Sequence, residues 1–156
     1  MSDATGLLVA KDRAGVIGTV LGNNPGMAEN IAERIVDEAV KFTATCAKNP
    51  RDRLRPSRVV DEGWHALILH TRVYKELCDD FGIFVHHVPE PPDPSRHNAG
   101  ELTRTREMIR KAGFTVDGAL WLAPTDESIP VAANCEHSEP GGEGTCTGDC
   151  SNTGPN

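Results

Sequence analysis

Apolar residues recur at three- and four-residue steps along most of the chain, a spacing that predicts helices rather than strands. Ala28, Ile31, Ala32, Ile35, Ala39, Phe42 and Cys46 fall on one face of a helix running to about Lys48. Its other face carries Glu29, Glu33, Arg34, Asp37, Glu38 and Lys41. Asn24-Pro25 reads as its start, with Asn as N-cap and Pro at the first helical position, and Asn49-Pro50 stops it. A second long helix is expected from an N-cap at Ser57 to about Asp80. Val60, Trp64, Leu67, Ile68, Thr71, Tyr74, Cys78 and Phe81 share its core face, and Gly82 ends it. A shorter helix reads from Asp12 to Leu21, weakened by Gly15 and Gly18. Another spans Asn98 to Ala112 and is closed by Gly113, and Val116 to Leu122 forms a last short turn that packs Leu120 and Trp121 onto the domain. Phe84 to Val88 reads as an extended or irregular segment, and no strand pairs or repeats stand out. The fold class expected is all-α: a small orthogonal helical domain of three to five helices.

Composition changes this picture at the C-terminus. From Asn134 to Asn156 there is no Val, Ile, Leu, Met or aromatic residue, so little there can offset chain entropy. The expected organisation is an N-terminal segment over 1–24, a helical core over 25–124 and a disordered acidic Cys/Gly tail over 125–156. Over 134–156, Glu136, Glu139, Glu143 and Asp149 account for four of the seven net negative charges. The remaining mildly acidic body has no reason to seek phosphate backbones, so no nucleic-acid partner is expected. No stretch suits a signal peptide or a membrane span, which points to a cytoplasmic protein with no membrane association. Cys46 and Cys78 lie in helical patterns and read as small buried thiols. Five cysteines is an odd number, so a complete disulfide framework is not available.

The residues with chemical potential cluster. Four of the six histidines, His65, His70, His86 and His87, lie between positions 65 and 87, interleaved near Asp61, Tyr74 and Cys78. These side-chain types bind first-row transition metals. On a helix, Asp61 and His65 are four residues apart and therefore neighbours. His70, Tyr74 and Cys78 form a second series at the same step, roughly 140–180° round the helix from His65. One ion cannot take both sets. The first candidate site joins Asp61 and His65 to His86 or His87 when the chain turns back after Gly82. The second joins His70 and Cys78 to one of the same histidines. The first is preferred, because Cys78 and Tyr74 belong to the core face. A transition metal (zinc, iron or copper) is the cofactor these residues imply. The plain structural alternative is an Asp–His hydrogen bond with the adjacent histidines pinning a loop. No phosphate loop, nucleophile elbow, H-E-x-x-H or paired C-x-x-C is present, so the reading leans away from an enzyme.

The stretch VDEGWHALILHTRVYKELCDDFGIFVHHVPEPP, with Asp61, Trp64, His65, Thr71, Tyr74, Cys78, Gly82, His86, His87 and Pro89, resembles the core motif of the glycine-rich domain-containing protein-like family. The resemblance covers roughly positions 25 to 122. It implies a small helical domain and supplies no activity. The tail carries two further readings. Cys135, Cys146 and Cys150, with His137 close by, suit soft-metal capture. Interspersed with Thr145, Thr147, Ser151 and Thr153, they also look like the core of a ribosomally made peptide precursor, acted on by a modifying enzyme, with the helical domain as leader. A third reading is a protein-interaction module using Arg51, Arg53, Arg55 and Arg58 and a Trp64/Trp121 surface.

Overall fold

The computed structural model describes residues 2–4, 6–90, 99–132 and 136–137. Most of the expected disordered tail, Cys135, Cys146 and Cys150 included, therefore lies outside the described residues, which cover 125–132 and 136–137 of it. Within them the protein is all-α, with five helices: α1 (Ala10–Asn23), α2 (Glu29–Lys48), α3 (Arg58–Leu69), α4 (Thr71–Phe81) and α5 (Ala99–Lys111). A single 3-10 turn, Gly118–Leu120, follows. Extended pairing among the described residues is limited to an isolated bridge from Ser2 to Phe114 and a two-residue antiparallel ladder. In that ladder Pro89 faces His137 and Glu90 faces Glu136.

Helix α2 is the axis of the molecule, and the other four helices contact it. Its apolar stripe, Ala32, Ile35, Ala39 and Phe42, is fully buried, as the periodicity requires. Its polar face does not stay in water. Glu38 and Lys41 are both buried, and their charges sit 2.7 Å apart. Glu38 also accepts hydrogen bonds from the Trp121 indole N–H at 3.0 Å and the Asp117 amide at 3.2 Å, while Lys41 donates to the Thr115 carbonyl at 2.9 Å. This is how the segment after α5 is held across α2. A buried charge is tolerated when it is paired and hydrogen-bonded, which is the case here. The Arg34 guanidinium clasps Asp117 through two bonds of 2.6 and 2.9 Å and holds that carboxyl below its usual range.

The start of α2 departs from expectation. The helix begins at Glu29, and Asn24 closes α1 instead of opening α2. Buried Asn24 donates to the Val20 carbonyl and the Glu62 carboxylate, both at 2.8 Å, and accepts from the Ala132 amide at 2.7 Å. Those three bonds tie α1, α3 and Ala132 together, Ala132 lying within the stretch 125–156 expected to be a disordered tail, and they leave the Asn side chain no role as an N-cap for α2. Gly26, at φ +89°, makes the turn between the helices.

The second expected helix is two helices. His70 breaks it, at φ −84° and ψ 70°, with no Gly or Pro in place to force the break. Its ring instead reaches α1, where Nε2 bonds Thr19 Oγ1 at 2.7 Å. Local chemistry fixes the outer ends of the pair. The Ser57 hydroxyl accepts from the Val60 amide as an N-cap, and Gly82 ends α4 in the left-handed conformation.

Helices α2 and α3 approach closely at Gly63. A methyl group built there would stand 2.7 Å from the Ile35 carbonyl oxygen and 2.8 Å from Ile35 Cγ2. Trp64, the next residue, is buried edge-on against Phe42, ring centroids 5.0 Å apart. Trp64 and Trp121 are both core residues, so the expected aromatic interaction surface is not formed.

Candidate functional site

Asp61 and His65 stand one turn apart on α3, near its buried N-terminal half. The ring that joins them comes from the chain after α4. Gly82 turns that chain back, and the Tyr74 hydroxyl clamps it by donating to the Val85 carbonyl. Tyr74 in turn accepts the Trp64 indole N–H at 3.1 Å. Burial pushes the Tyr74 phenol well above its ordinary value, so it remains a neutral donor. With Val85 pinned, His87 packs onto the Trp64 ring at a centroid distance of 4.4 Å and onto the His65 ring at 4.5 Å.

The result is a compact Asp–His–His cluster. His87 Nε2 lies 2.8 Å from Asp61 Oδ1, and His65 Nε2 lies 3.4 Å from Asp61 Oδ2. One ligand atom from each of the three residues falls within 4.8 Å of the other two, an arrangement able to hold a metal ion. The Asp61 and His87 side chains are nearly sealed, 2 % and 6 % exposed, and His65 is 18 % exposed. Burial lowers the His65 pKa below the ordinary imidazole range; Asp61 opposes that shift and His87 adds to it. A neutral imidazole keeps a lone pair for a ligand.

The other sequence candidates are placed elsewhere. His86 is exposed and stacks beside Phe84, centroids 4.8 Å apart, outside the cluster. His70 is bonded to Thr19, and Cys78 is sealed in the core, so these two do not form a second site. Buried Glu62 was missed by sequence reasoning; its carboxylate accepts from Asn24 and adds negative potential behind His65. The backbone of Glu136–His137, paired with Pro89–Glu90, runs against α3 close to this region.

Fold and cluster together define a small all-helical protein built round a buried Asp–His–His group. The chain belongs to the family described as UCP032817-like, which it matches over residues 14–109. Searches of curated proteins and of solved structures return no match. The family match corrects the resemblance to the glycine-rich domain-containing protein-like family, which is not supported. That resemblance rested on about thirty residues, and many of them are fixed by packing: Trp64, Tyr74 and Cys78 fill the core and Gly82 caps a helix.

Proposed function

We propose that this chain is a metal-binding helical domain in which Asp61, His65 and His87 hold one zinc or ferrous ion. The observation that carries the reading is that one carboxylate and two imidazoles, from two separate chain segments, bring ligand atoms within 4.8 Å of one another. Ligand atoms on a tetrahedral zinc stand roughly 3.3 Å from one another, given bonds of about 2.0–2.1 Å. His87 stands 2.8 Å from Asp61 Oδ1 and His65 3.4 Å from Asp61 Oδ2, so each imidazole is near that spacing from a different oxygen of the carboxylate. Two imidazoles and a carboxylate suit zinc and ferrous iron, and the absence of sulfur from this trio argues against cuprous copper. Three protein ligands leave a coordination position for water.

A ligand that binds only the folded state raises its melting temperature. Zinc restored to chelator-treated protein at a hundredfold excess over its dissociation constant is expected to add about 2.7 kcal/mol, a rise of roughly 8 °C. Asp61→Asn and His65→Ala, each still folded by circular dichroism, are expected to lose that rise. An equal rise in both variants, or none in the unmutated chain, would leave the cluster as a hydrogen-bonded pin for residues 84–87.

A further inference from the structure

A cavity of about 250 Å³ lies beside the histidine cluster and shares the Trp64 ring with it. Its buried walls include Leu54 and Trp64, and its open side carries Ile83 and Phe84. Those last two are 40 % and 47 % exposed and make up half of the large apolar side chains exposed among the described residues. Exposed apolar side chains concentrated round a concavity are the mark of a binding site rather than of ordinary surface scatter.

Arg53 is the one fixed charge in the lining, beside the neutral amide of Asn49. Arg53 and His86 line the cavity, and no carboxylate does. Arg53 is also the single non-glycine residue at positive φ among the described residues, at +43°, a conformation that L side chains adopt at a cost. Such strain gathers where a side chain must be presented at a particular place. A guanidinium offers five N–H donors in a fixed fork, so it can take an anion while keeping a neighbour.

We infer that this cavity binds a small aromatic carboxylate, its ring against Ile83 and Phe84 at the open side and its charge on Arg53. The volume holds about eight waters, or a ligand of roughly ten non-hydrogen atoms. The inference is independent of the metal reading, since none of Asp61, His65 and His87 lines the cavity.

The test is an NMR titration of the full chain with phenylacetate and with the uncharged phenylacetamide. The Trp64 indole N–H, assigned by its loss in Trp64→Phe, reports on the cavity, and the Trp121 indole is the control. Phenylacetate is expected to move the Trp64 signal saturably, with the amide bound roughly tenfold more weakly or worse. Arg53→Gly, which accepts the positive φ, is expected to cut phenylacetate affinity about tenfold and abolish the preference for the acid. No saturable shift, equal binding of acid and amide, or unchanged binding in Arg53→Gly would each overturn the inference.

Discussion

Replacing Trp64 by alanine is expected to lower stability by about 4 kcal/mol, the middle of the range for truncating a buried aromatic residue. The side chain is 1 % exposed, so its transfer free energy is lost almost in full and a cavity opens beside Phe42. The indole also holds Tyr74, and Tyr74 holds the Val85 carbonyl, so His87 loses both its packing surface and its clamp. Urea unfolding followed by circular dichroism measures the first effect, and zinc-dependent melting measures the second. Trp64→Phe keeps most of the ring volume and is expected to cost less than half as much. A loss below about 1 kcal/mol for Trp64→Ala would contradict the central packing role assigned to this residue.

The second large effect is expected at Gly63, where alanine adds only one carbon. That carbon would meet the Ile35 carbonyl oxygen at 2.7 Å, and Ala39 Cβ at 3.0 Å. A backbone oxygen cannot rotate away, so α2 and α3 must separate. Overpacking of this kind costs about 3 kcal/mol, more than the roughly 1 kcal/mol by which alanine's helix propensity would favour the change. The same separation shifts Asp61 and His65, which flank Gly63, relative to His87. Thermal melting is expected to show Gly63→Ala well below the unmutated protein, while Gly18→Ala, with nothing within 4 Å of the added carbon, is expected to be neutral or stabilising.

What the sequence made legible was set by local chemistry. Ser57, Gly82 and Gly113 mark helix ends because a hydroxyl cap and left-handed glycines act within one turn of themselves. The Asp61–His65 pair follows from helical geometry alone, and the return of the chain after Gly82 follows from the turn residue. What stayed hidden depended on distant partners. The break at His70 is held by Thr19 on another helix, and Asn24 is recruited by Glu62 and Ala132. Glu38 and Lys41 read as part of a polar face because the segment that buries them arrives some seventy residues later. The choice between His86 and His87 is made by distant partners, the Tyr74 bond to Val85 together with Asp61 and Trp64, which receive His87. Neighbouring residues of an extended segment point to opposite sides, so pinning Val85 turns one histidine inward and leaves the other in solvent.

The most direct measurement is the metal content of the purified full chain, read by elemental analysis beside the double variant His65→Ala/His87→Ala and the single variant His86→Ala. Close to one zinc or iron per chain is expected in the unmutated protein and in His86→Ala, with less than about a tenth of that in the double variant, because removing ligands costs more than the 10–100-fold lost when an outer-shell partner is removed. Metal retained at the same level without His65 and His87, or absent from the unmutated chain, would contradict the assignment.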